Sequence, residues 1–213
     1  MPELDDTIER IRANLTAKNA ARETGLRLSR EVIRNSANAI RATHRGELDR
    51  ADDLIAAAGR ALAEARQALA GHQDVRHAGF LHDAEKEFAE ASITRRLIGG
   101  AGDLPDPDDL EVGYAAYLNG LGEAVGELRR HLLDGLRRGP AGEREEALLQ
   151  MMDDIYGALV TIDFPDAITG GLRRTTDVVR GILEKTRGDL TLSLRQQALE
   201  STLRDLESRF GGP

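Results

Sequence analysis

Between Tyr114 and Leu132 the apolar residues Tyr114, Leu118, Leu121, Val125, Leu128 and Leu132 recur at intervals of four and three. That period lays one continuous stripe along an α-helix, a seam to be buried against neighbouring helices. The same spacing runs through nearly the whole chain, and no stretch shows the sustained alternation rich in Val, Ile or Thr that marks a strand. The expectation is an all-α protein. Breaks are expected at Gly46, from Gly71 to Gln73, in the GGAGDLPDPDD connector from Gly99 to Asp109, at Gly139-Pro140, from Asp163 to Pro165, and at Gly188-Asp189. They divide the chain into about seven helices. A length of 213 residues with 40% hydrophobic content suits one globular domain, 1–213, burying roughly 70% of its unfolded surface. The connector is short and the helices on its two sides share one character, so a single-domain bundle is expected.

Cysteine is absent, which excludes disulfides and thiolate-held zinc. The opening MPELDDTIERIRANL is acidic and amphipathic rather than a secretory signal. The longest apolar run, LIAAAGRALAEARQALA, is interrupted by Arg60, Glu64 and Arg66 well short of the roughly 20 residues that cross a bilayer. A soluble, cytoplasmic protein with no membrane partner is expected. The formal charge of -8 means that any nucleic-acid binding must come from a local basic face. Of the 29 basic residues, Lys18, Lys86 and Lys185 are the lysines and the rest are arginine.

Two constellations carry chemistry. Glu87 and Glu90 in KEFAEASI, and Glu123 and Glu127 in YLNGLGEAVGELRR, are spaced by three and four, so each doublet shares one helical face. With the two helices side by side the four carboxylates converge, the donor set that suits a hard divalent cation such as Mg²⁺, with Mn²⁺ as a substitute. At about 100° per residue, Glu123 and Glu127 point opposite the apolar seam, beside Ala116 and Gly120, while Asp83, Glu87, Glu90 and Thr94 lie on the far side of a stripe made by Leu81, Ala84, Phe88 and Ala91. Thirty-seven acidic residues produce such pairs by chance on solvated faces. Against that stand the small Ala89, Ala116, Gly120 and Gly122, which permit close approach, and the lack of a basic residue four positions after Glu87 or Glu123.

In RLSREVIRNSANAIRATHR the residues Arg27, Arg30, Arg34, Arg41 and Arg45 fall within an arc of about 60°. They border Leu26, Ile33, Ala37 and Ile40, so their stems can lie on apolar surface while the guanidinium groups face outward. A phosphate backbone is the natural ligand of such a row, and pairing with the chain's own excess carboxylates is the competing reading. Arg76 and His77, with His82, form a weaker basic cluster. Aromatic residues make up 3% of the chain, too few for a base-stacking platform. The sequence has no HExxH, no GxSxG and no phosphate-binding loop. Glu127 and His131 suggest a di-iron bundle, but the paired Glu-x-x-His motifs are missing.

The run RLSREVIRNSANAIRATHR, then KEFAEA, then YLNGLGEAVGELRR, then MDDIYGALVTIDFPDAITGGLRRTTDVVRGILEKTRGDL resembles the translin and translin-associated factor X (TRAX) family in order and spacing over most of the chain. The resemblance implies a seven-helix bundle that assembles into a hollow octamer and binds single-stranded RNA, and single-stranded DNA as well. It is closer to the TRAX branch, whose acidic residues form a Mg²⁺-dependent endoribonuclease site. The family's E-x-x-E matches Glu87 and Glu90, and its second acidic pair matches Glu123 and Glu127, with glutamate at 123 where the animal pattern has aspartate. Metal-dependent cleavage of single-stranded RNA is what this resemblance implies, and a single chain type carrying both the arginine row and the carboxylates suggests a homo-oligomer, unlike the animal complexes that mix two subunit types. The alternative is a translin-like binder without catalysis, and a third reading is a helical scaffold for proteins alone. The C-terminal LRQQALESTLRDLESRF carries Leu199, Leu203 and Leu206 on one side, which pack on the same bundle or on a neighbouring subunit.

Overall fold

The computed structural model describes residues 2–100 and 103–210, and among them it contains helices and no strand. Six long helices, α1 (Pro2–His44), α2 (Leu48–Leu69), α4 (Phe80–Gly99), α5 (Tyr114–Arg138), α6 (Glu143–Val160) and α8 (Leu172–Phe210), are joined by two single turns, α3 (Gln73–Arg76) and α7 (Asp166–Thr169). Most breaks fall where glycine and proline predict them. Gly46 (φ 75°) and Gly100 (φ 66°) take the left-handed conformation that closes α1 and α4, and α5 stops before Pro140. Ala101 and Gly102, inside the expected connector, lie outside the described residues.

Gly188 does not break a helix. It lies within α8, which is continuous from Leu172 to Phe210. An internal glycine costs about 1 kcal/mol relative to alanine, and its surroundings outweigh that cost: Leu183, Thr186 and Leu190 are buried around it. Arg129 also clamps both sides, donating to Thr186 Oγ1 at 2.8 Å and to Asp189 Oδ2 at 2.7 Å.

The chain forms two compact units, Met1–Gly120 and Leu121–Pro213, the division falling within α5. In the first unit α1 packs along both α2 and α4, and α2 also packs on α4. Small residues allow this closeness. The buried face of α2 is Ala51, Ala58, Ala61, Leu62, Ala65 and Leu69, and a Cβ at Gly59 would stand 3.3 Å from the Phe88 ring. The last helix of this unit is tethered at its start: Tyr117 donates to the Pro105 carbonyl at 2.9 Å, and the Gly113 N–H donates to Glu85 at 3.2 Å. In the second unit α6 and α8 pair around Leu148, Met152, Ile155, Leu159, Val179 and Leu183.

Burial, followed by the charge of Asp106, holds the Tyr117 phenol above its ordinary value of 10.0. The folded form therefore retains its proton longer than the unfolded chain does. The stability this tether contributes is complete below pH 10 and is lost as the pH rises through the raised value. Thermal melts from about pH 9 to 11 are expected to show a steeper alkaline decline for the wild type than for Tyr117→Phe.

Two helix ends carry unpartnered apolar stripes. Leu4, Ile8, Ile11 and Leu15 at the start of α1 are 44–56% exposed, and Leu199, Leu203, Leu206 and Phe210 at the end of α8 are 44–84% exposed. Of the two positions expected for the C-terminal leucines, packing on the same bundle is not adopted. No described helix is long and apolar enough to cross a membrane.

Candidate functional site

The carboxylates are carried by α4 and α5. Over its middle, α4 is buried on every side: Phe88, Ala89, Glu90, Ala91, Ser92, Ile93 and Thr94 are all enclosed. The acidic side of this helix thus faces a second packing surface rather than solvent. What covers it is set by Gly120 of α5, where a Cβ would lie 2.7 Å from the Lys86 carbonyl oxygen, 3.0 Å from the Glu90 amide nitrogen and 3.1 Å from the Ala89 Cβ. Backbone meets backbone at that crossing, and no residue larger than glycine fits. Glu123 follows three positions later on the same helix and the same face.

The consequence is a group of three: Glu87, Glu90 and Glu123 each offer a carboxylate oxygen, all within 4.8 Å of one another. Glu90 is 9% exposed, whereas Glu87 and Glu123 reach solvent. At this separation and an effective dielectric constant near 20, each pair of charges repels by roughly 3 kcal/mol. Such a cluster persists where cations compensate it. Hard oxygen donors, one buried and two open to water, fit a small divalent cation that retains part of its hydration shell, and these three residues would hold it.

Glu127, the fourth expected ligand, is not in this group. Its carboxylate lies 3.7 Å from Arg130 of its own helix. Arg144 donates to His131 Nε2 at 3.0 Å, which engages that ring nitrogen away from any metal. The face of α5 opposite the glutamates largely follows the expected seam, with Leu121, Val125, Leu128 and Leu132 buried, but Tyr114 at its start is 64% exposed.

Two further contacts position the site. Arg66 of α2 lies 3.1 Å from Glu85 of α4, with both side chains about 85% buried, and Glu85 in turn accepts the Gly113 amide just ahead of α5. This pair ties α2, α4 and the start of α5 together one turn from the carboxylates. In sequence Arg66 only interrupts an apolar run, and Glu85 precedes the motif; no local spacing links positions 19 residues apart. Lys86 Nζ stands 3.6 Å from Glu87 Oε1.

The arginine row is on the surface as its periodicity implies. Arg27, Arg30, Arg34 and Arg41 along α1, and Arg45 in the turn just after it, are all exposed. Arg27 approaches Glu31 at 3.9 Å, Arg45 approaches Glu47 at 4.0 Å and Arg41 donates to Asn38 at 2.8 Å, all local and weak. No ion pair engages Arg30 or Arg34 among the described residues. Arg76 is half-buried at the end of α3, and His77 is exposed.

No protein-family model matches the chain. An uncharacterized protein of Methanocaldococcus jannaschii is 29% identical over 195 residues, which is 91% of this chain and 85% of that protein. Among solved structures, AfC3PO, seen alone and in a complex with duplex RNA, is 33% identical with a TM-score of 0.77, the match covering 88% of this chain and 96% of that one. The chain belongs to the translin/C3PO family. Apo-NeC3PO has the same fold at 21% identity, with a TM-score of 0.73 over 91% of this chain and 98% of that one.

Proposed function

We propose that this translin/C3PO-family protein is a homo-oligomeric RNA-binding endoribonuclease of the TRAX-like kind, dependent on Mg²⁺ and acting on single-stranded RNA. The observation that carries this reading is the convergence of Glu87, Glu90 and Glu123 from two helices, with Glu90 buried. When bound there, a divalent cation supplies activation of water and neutralisation of charge at the phosphodiester. The remaining work falls to the chain itself. Glu90, the most buried of the three, anchors the cluster, and Glu87 and Glu123 leave one side open to a strand. Gly120 holds the two helices at the separation that makes the three carboxylates a unit. Glu127, one turn beyond Glu123 and beside Arg130, is the fourth acidic residue of this reading.

The exposed row on α1 supplies the strand-binding surface, a set of guanidinium groups suited to bidentate phosphate contact. Paired substitution Arg30→Glu and Arg34→Glu is expected to weaken binding of single-stranded RNA at least tenfold and to flatten the slope of log affinity against log salt by about 1.4. A fluorescence-anisotropy series from about 50 to 200 mM salt measures both. The apolar stripes at the start of α1 and the end of α8 support assembly, because rows of this kind left exposed on one copy require covering; light scattering tests it, and an octamer is the size expected of the family resemblance.

AfC3PO is seen in a complex with duplex RNA, so the preference for single strands needs its own test. Substrate choice is therefore tested directly. Labelled single-stranded and duplex RNA are incubated with protein in Mg²⁺ and in EDTA. Cleavage of the single strand in Mg²⁺ alone supports the nuclease; binding of either RNA with no cleavage in any divalent cation moves the reading to a translin-like binder.

A further inference from the structure

We infer that Lys86 is a built-in counter-cation of the carboxylate cluster, competing with the divalent ion for the same charge and leaving its position beside Glu87 when the ion binds. The inference rests on the metal-site reading above and adds a residue and a regulatory consequence to it. Three observations support it. The Lys86 ammonium is 3.6 Å from Glu87 Oε1, and the two side chains are only 22% and 27% exposed. Lys86 precedes Glu90 by four positions on α4, so its stem runs on the face of the buried carboxylate. Its own carbonyl lies at the Gly120 crossing, which pins the lysine backbone where the two helices meet.

The choice of residue is informative. This chain uses arginine almost throughout and has three lysines, one of which stands at the cluster. A guanidinium would clamp a carboxylate with a rigid two-pronged contact, whereas an ammonium is a compact point charge on a flexible stem that can be displaced. With three carboxylates within 4.8 Å, the metal-free fold gains from a nearby cation, and an ion arriving with two charges must displace that gain before it binds. Lys86 thereby stabilises the folded protein without metal and lowers the affinity for metal, two effects of opposite sign from one residue.

The test measures binding and stability, not activity. Mn²⁺ and Mg²⁺ are titrated calorimetrically into the wild type, Lys86→Met, Lys86→Arg and Glu90→Gln, and each protein is melted without metal. Lys86→Met is expected to bind Mn²⁺ about five- to tenfold more tightly and to melt at a lower temperature than wild type in EDTA. Lys86→Arg is expected to retain the wild-type melting temperature and to bind metal no more tightly than wild type. Equal or weaker Mn²⁺ binding by Lys86→Met, with the wild type still binding and Glu90→Gln not, overturns the role of Lys86 and leaves the metal site standing. Absence of binding by the wild type, or binding indifferent to Glu90→Gln, overturns the site and this inference with it.

Discussion

Glu90→Gln protein is expected to bind RNA with unchanged affinity and to cleave it about 10²- to 10³-fold more slowly, the loss seen when a group that stabilises developing charge is removed. Glutamine preserves the volume and one oxygen of the side chain, so the buried position stays filled. What changes is charge: the cluster falls from three carboxylates to two, and the residue with the least access to water no longer anchors a cation. The substitution also relieves repulsion on the order of 3 kcal/mol per pair before solvent screening, so the metal-free variant is expected to melt no lower than wild type. Anisotropy, single-turnover cleavage in Mg²⁺ and melting in EDTA separate these effects. Loss of cleavage accompanied by loss of RNA binding would mean that Glu90 serves the fold or the RNA surface instead of the chemistry.

Gly120→Ala is expected to destabilise the protein and to weaken divalent-ion binding together. In a solvent-facing helix the change would stabilise by about 1 kcal/mol. Here the new methyl would lie 2.7 Å from the Lys86 carbonyl and 3.0 Å from the Glu90 amide, and neither backbone group can rotate aside. Overpacking of that kind costs about 1–3 kcal/mol and exceeds the propensity gain, which for a chain of this length lowers the melting temperature by several degrees. The helices must part to admit the methyl, and Glu123 is carried away from Glu87 and Glu90 as they do. Gly126→Ala on the same helix is the control: nothing lies within 4 Å of its Cβ, so it is expected to raise stability and leave metal affinity unchanged. Parallel behaviour of the two variants in melting and calorimetry would remove the crossing from the argument.

These two glycines mark the limit of what local sequence can show. Both sit in one helical pattern with identical propensity, and although the small residues around Gly120 permit close approach, local sequence does not say which backbone it meets or how near. The carboxylates were more legible. Spacings of three and four place Glu87 with Glu90 and Glu123 with Glu127 on common faces whatever the fold does, and small residues around Gly120 point to close approach. That Glu123 joins the α4 pair while Glu127 leans toward Arg130 depends on where along α5 the crossing occurs, a tertiary distance. The Arg66 to Glu85 tether is of the same kind, since it joins residues from different helices. Gly188 went the other way: a strong local signal for a break was overridden by Arg129 and by burial on both sides.

By itself the sequence determined the all-helical class, most helix ends, the exposed arginine row on α1 and the acidic doublets, because each follows from a period of 3.6 residues and from the conformational limits of glycine and proline. Only the tertiary structure decided which face of α4 is enclosed, which three carboxylates meet, that a lysine stands beside them, and that two apolar helix ends are left uncovered. Those outcomes depend on how close two backbones come, and that distance is set by contacts between residues remote in the chain.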